Sequence, residues 1–390
     1  MTNTAFHDPL IIPLEDGRWL GLSTDLKMAG VQSRLSDDLL KWSEPFPLLG
    51  ETPPSVLRHT GVHRFWAPDL VRRGGKWRLY VCASRFGTTQ SVIGLAEAEA
   101  PLGPYRYVGD VIQTLHAPRF DQANAIDPCV CADRGGKDYM IYGSFFGGIH
   151  ILPLGEDGFP TEFSEGKLIA GGGHQAIEGA YCFYHEASDR FILFTSWGSL
   201  RWDYHIRVGY SKEITGPYLD SNGFPLTDLD PVHTPGDKLA GGYHFGLPGL
   251  PDVMATGHNS LMRKGDELYL VHHARPEGDE RRPFLQVRRL FFGEDGRVMA
   301  WPLTYTGEAL TAPAATPKRW RLVYLNRLNH GVVYGVSLSA EEAKVTVEGD
   351  RIEMEAFCKT WRGRIASQGA MTACTLLSED GEALWGVAEE

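Results

Sequence analysis

Three acids stand at the mouths of short apolar runs: Asp8 in "HDPLII", Asp127 in "IDPCVC" and Glu178 in "IEGAYCF". Paired carboxyl groups are tools for acid–base chemistry. One gives a proton to a leaving oxygen, and the other attacks or activates water. A third carboxylate close by raises the pKa of the proton donor. Taken singly, each acid reads as a turn or strand-start residue. The three are far apart in the chain, so shared chemistry requires a fold that brings the starts of distant strands to one point.

The surrounding pattern supplies such a fold. Five stretches read as hairpins: "FHDPLIIPLEDGRWLGLST", "FWAPDLVRRGGKWRLYVCAS", "AIDPCVCADRGGKDYMIYGS", "IEGAYCFYHEASDRFILFTS" and "TGHNSLMRKGDELYLVHHAR". Each has a strand-like run, a short polar or Gly turn and an aromatic-rich second run. Several continue into a third run, such as "SVIGLAEA", "HIRVGYS" or "FLQVRRLFF". Repeats of this size predict an all-β protein with a five-bladed β-propeller. The helical periods that a Rossmann or α/β barrel fold needs are missing. In a propeller the innermost strands line the axis, so Asp8, Asp69, Asp127, Glu178 and His258 are expected at similar places around one funnel. Asp69 reads as the structural member of that set, capping backbone groups. The propeller is expected over residues 1–312. "APAATPKRW" reads as a linker, and a small all-β C-terminal domain, a curled or barrel-like sheet, is expected over 318–390.

Composition narrows the partners. The 390 residues are 43% hydrophobic and 22% charged, with 45 glycines and a formal net charge of -11. A chain with that charge and no basic cluster is not expected to bind nucleic acid or an anionic membrane, and a neutral ligand suits it. "MTNTAFHDPLIIPLEDG" lacks a basic region followed by an apolar core, so a cytoplasmic location is expected unless a leader was removed. The six cysteines read as free buried thiols. Cys129 and Cys131 share a strand face, but no second Cys/His pair completes a metal site.

The set "HDP", "FWAPD", "SRFGTTQSVIGLA", "NAIDP", "YGSFFGGI", "IEG" and "GHNS", in that order, resembles the arabinanases of glycoside hydrolase family 43. "VRRLFFGEDGRVMAWPLTYTGE" and "GRIASQGAMTACTLLSEDGEALWG" resemble the end of the propeller and the extra C-terminal β domain of some of them. The resemblance implies an inverting hydrolase acting on α-1,5-linked L-arabinan or arabino-oligosaccharides. Asp8 would be the general base and Glu178 the general acid. Asp127 would orient Glu178 and raise its pKa. Trp66, Phe86 and Ser144 would line sugar subsites, and Arg275 would reach the sugar or pair with a carboxylate. It also implies a calcium ion, with its waters, on a histidine near the axis. His273 is favoured for this over His258. The chain departs from the family pattern at Ala180, where a proline is usual, at Cys129, where a serine is common, and after Asp295-Gly296, where the usual Trp-Pro is lacking. Two rivals remain. One is an exo-acting arabinofuranosidase or β-xylosidase, with the Gly/Pro-rich segment 230–253 closing one end of the groove. The other is a non-catalytic sugar-binding propeller, which is expected to lack one of the three acids. The "RDP" and "EC" motifs of sucrose-cleaving propellers are absent.

Overall fold

The computed structural model describes residues 4–24, 30–115, 122–162 and 164–389. The hairpins of the sequence pair as expected, because alternating apolar residues can bury one sheet face against the next blade. The first blade holds Leu10–Pro13, Trp19–Ser23, Gln32–Ser36 and Phe46–Pro47, and the second holds Trp66–Arg73, Lys76–Ser84, Ser91–Ala98 and Arg106–Thr114. The third holds Cys129–Ala132, Asp138–Tyr142, Ile149–Pro153 and Lys167–Ala170, and the fourth holds Ile177–His185, Arg190–Trp197, His205–Ser211 and Asp237–Ala240. The fifth runs Val253–Lys264, Glu267–Pro276, Phe284–Phe292 and Val298–Ala300. The first-named strand of each blade touches its counterparts on both sides, which closes a ring about the axis. The turn between Arg73 and Lys76 shows how register is set. Gly74 and Gly75 take φ of +57° and +79°, as a two-residue hairpin turn requires.

Each inner strand carries the same irregularity. A residue in its first half or just before it is left-handed: Asp8 (φ +52°), Ala67 (+34°), Asp127 (+57°), Gly179 (+58°) and His258 (+49°), with Ala255 (+49°) as a second in blade five. The pairing with the second strand skips at this point in blades two, four and five. A bulge of this kind re-aims side chains toward the axis. It also corrects the expected alignment of the repeats. Ala67, not Asp69, holds the place of Asp8 and Asp127, because the residue before the proline takes the left-handed turn. Asp69 lies two residues further along, and its carboxylate accepts the Val130 N–H at 2.7 Å, tying blade two to blade three.

Beyond the propeller, Arg319–Leu325, Val336–Ser339, Thr346–Glu348, Arg351–Ala356, Lys359–Gln368, Met371–Leu377 and Ala383–Ala388 form one sheet around buried Trp320 and Trp361. Leu310–Thr311, upstream of the linker, already pairs with this sheet. Val333–Tyr334 leaves it to pair in parallel with Tyr243–His244 of the propeller. Segment 230–253 is partly built into the sheets. It supplies the last strand of blade four and the crossing to blade five, and Tyr243 meets Trp385 edge-on. All six cysteines are free thiols; five are buried, while Cys358 is exposed, against the expectation that all six would be buried. No helix among the described residues is long and apolar enough to cross a membrane.

Candidate active site

Asp8 is buried at the axis, and its carboxylate is crowded by donors. His258 Nδ1 lies 3.0 Å from Oδ1, and His7 Nδ1 lies 3.0 Å from Oδ2. The Thr24 hydroxyl also donates to Oδ2. Burial alone would neutralise the acid, but attraction to His258, and then to His7, outweighs it and holds the carboxyl well below the usual range. His258 responds in kind. Burial opposes its charge, yet Asp8, Asp127 and Glu178 raise its pKa. His258 is thus the counter-ion of the acids.

Glu178 opens the inner strand of blade four, one residue before the left-handed Gly179. Its two oxygens are held separately. Ser144 Oγ donates to Oε2 and Tyr204 OH donates to Oε1, each at 2.8 Å. Asp127 sits between the two sites. Burial pushes its carboxyl up to about 7, with repulsion from Glu178 and Asp8 adding to this against the opposing charge of His258. Its Oδ2 accepts the Gly179 N–H at 3.0 Å, so it fixes the backbone that carries Glu178. Asp8, Asp127 and His258 share, with Asp69 and Asn259, the lining of an axial cavity of about 20 Å³, room for about one water. A larger hollow of about 850 Å³ lies between blade five and the C-terminal sheet. Arg351–Glu294 and Arg362–Glu353 ion pairs line it, and Asp8, Asp127 and Glu178 do not.

The remaining expected residues fall around this centre. Trp66 is half-buried and meets the exposed Phe86 edge-on, with ring centroids 6.4 Å apart. Ser144 is buried and committed to Glu178. Arg275 is buried. Its Nε donates to the Glu280 carbonyl at 2.8 Å, and its Nη1 has no protein partner. Three contributors were not singled out from sequence: His7, Thr24 and Tyr204. The first two had a signal, since Thr24 N–H pairs with the His7 carbonyl at 2.8 Å, as a hairpin opposite Asp8 demands. Tyr204 comes from the loop after Trp197 and had none.

His7, Asp8 and His273 gather their ligand atoms within 4.8 Å of one another. His273 Nδ1 accepts the Asp8 N–H at 3.2 Å, so a neutral ring carries its proton on Nε2. That Nε2 is buried without a protein partner. A protonated nitrogen is no direct ligand for calcium, a hard cation that takes oxygen. The residues fit a cation held through its waters, and His258 is already bound to Asp8.

The family model described as glycosyl hydrolases family 43 matches residues 1–296. An extracellular endo-α-(1→5)-L-arabinanase from Thermotoga petrophila is 28% identical, over 98% of this chain and 93% of its own. An extracellular exo-α-(1→5)-L-arabinofuranosidase, ArbA, from Cellvibrio japonicus is 31% identical, over 76% of this chain and 85% of its own. The crystal structure of the T. petrophila endo-1,5-α-L-arabinanase superposes with a TM-score of 0.87 at 26% identity, covering 99% of this chain and 98% of that one. These relatives are extracellular by name, so they lend the cytoplasmic expectation no support. With the fold, the convergent acids and the family match together, the chain belongs to glycosyl hydrolases family 43 and is a glycoside hydrolase.

Proposed function

We propose that this hydrolase cleaves α-1,5-linked L-arabinan or arabino-oligosaccharides with inversion, Asp8 acting as base and Glu178 as acid. The observation that carries the reading is the opposite treatment of acids drawn from three blades. Asp8 is surrounded by histidines that keep it ionised, as a base must be. Glu178 is positioned by two hydroxyls, and each of its oxygens keeps a further site, one for the transferable proton. Asp127 lies close enough to Glu178 that the Glu178 charge adds to burial in raising the Asp127 carboxyl. Water attacks the anomeric carbon as Asp8 takes its proton, while Glu178 protonates the departing oxygen. Inversion calls for acid and base carboxyls roughly 6.5–9.5 Å apart, with room for that water.

The endo mode is favoured by the relative that matches nearly the whole chain and is named an endo-arabinanase. The exo reading draws on the Cellvibrio relative. Linear α-1,5-arabinan separates the two, read by product size early in the reaction. A ladder of oligosaccharides is expected. A single small product establishes exo action, and no cleavage of arabinan, arabino- or xylo-oligosaccharides overturns the catalytic reading. Proton NMR of the first product is expected to show the inverted anomer. Glu178→Gln should lower kcat by roughly 10²–10⁴ while the protein stays folded.

Calcium is proposed as a hydrated ion beside His273 Nε2, where it would add positive charge near Asp8. Chelation is expected to lower the Tm, and elemental analysis to find one calcium per chain. An unchanged Tm with no bound metal removes the ion.

A further inference from the structure

In blades two to five a loop joins the second and third strands at the end of the propeller where the acids lie. In blade two this loop follows Ser84 and carries Phe86, which is 83% exposed. In blade four the equivalent loop spans 198–204 and carries Trp202, 58% exposed. Register fixes its side of the molecule. Glu178 pairs with Ser196, Ile177 with Trp197, and Trp197 with His205, so the loop springs from the level of the acid. Two residues after Trp202, Tyr204 OH holds Glu178 Oε1.

The loop is internally braced. Ser199 N–H donates to Asp203 Oδ1 at 2.7 Å. The N–H groups of Trp202 and Tyr204 both donate to the Ser199 carbonyl, at 3.1 and 3.0 Å. Leu200 packs against the buried cluster of Tyr204, Met254 and Ala255. A large ring left facing water, on a braced loop whose Tyr204 also holds Glu178, is placed for a ligand with apolar faces. A furanose ring offers C–H faces of that kind.

We propose that Trp202 is a sugar-stacking platform on the leaving-group side of the scissile bond, the blade-four counterpart of Phe86. Blades two and four are separated by blade three, so the two platforms flank the axis and select a chain that spans it. The inference rests on Glu178 being the acid, since that assignment makes the blade-four side the leaving-group side.

The test compares the full chain with Trp202→Ala and Trp202→Phe on arabinohexaose and arabinobiose. Trp202→Ala is expected to cut kcat/KM on arabinohexaose about tenfold through KM, at least fivefold more than on arabinobiose, at the wild-type Tm. Trp202→Phe should recover most of the loss. Equal losses on both sugars, or none on either, overturn the platform. A second arm titrates arabinohexaose into the Glu178→Gln protein with and without Trp202→Ala. Weaker binding in the double variant supports the platform, and equal or undetectable binding overturns it. A wild type that hydrolyses neither sugar overturns the function reading, and the binding arm then decides the platform alone.

Discussion

Two buried aspartates at one site are pushed in opposite directions, and this sets a pH signature. Burial raises Asp127 from 3.8 to about 7, so the folded chain holds that proton more tightly than the unfolded chain does. Its contribution to stability is complete below about 4 and is lost as pH rises through about 7. Asp8 is lowered, so its contribution is present above the unfolded value and is lost as pH falls through the folded one. Asp127→Asn mimics the protonated acid in shape and cannot ionise. Its denaturant midpoint relative to wild type is expected to rise between pH 5 and pH 8, while activity falls. A constant difference across that range contradicts the assignment. Asp8, Asp127 and Glu178 were legible because each stands at a strand start within a repeated hairpin. Tyr204 was not, since a loop tyrosine has no periodic signal and its role exists only once blade four closes.

At the scale of elements, the bulged inner strand is the device that positions the site. The paired runs and their turns follow from period-two patterning and Gly-Gly turns. The bulge follows from backbone sterics, which sequence alignment on acids misread at Asp69. Its supports tolerate little added bulk. A Cβ on Gly257 would lie 2.1 Å from the ring of Tyr204, which is itself buried. Gly257→Ala should therefore displace Tyr204 from Glu178, lowering kcat tenfold or more and also the Tm. Tyr204→Phe keeps the ring and loses only the hydroxyl. It should lower kcat while the Tm changes little, by roughly 1 kcal/mol or less of stability. If Gly257→Ala keeps wild-type activity, Tyr204 does not position Glu178.

Across the whole molecule, the C-terminal sheet is joined to blade four through buried charges. Arg207 donates from Nη2 to the Arg327 carbonyl at 2.6 Å, and Lys238 Nζ reaches the Asn329 carbonyl. Burial brings Lys238 down to about 7 and Asp237 up to about 7. Arg327 spans Asp220 and Asp237 at 3.1 and 3.4 Å. This joint was invisible in sequence, because its charges come from the two outer strands of a blade and from loops that read as solvated surface. "APAATPKRW" reads as a linker, and past it Val333–Tyr334 pairs with the propeller. One cooperative calorimetric transition is therefore expected for the whole chain. Arg327→Met removes the cation shared by two buried pairs and leaves Asp220 and Asp237 only their backbone and Ser221 donors, at a cost of about 3–5 kcal/mol. The variant should unfold at a lower temperature, with a separate C-terminal transition. If its melting profile matches wild type, hydrophobic contacts such as Tyr243 against Trp385 hold the two parts together without the charges.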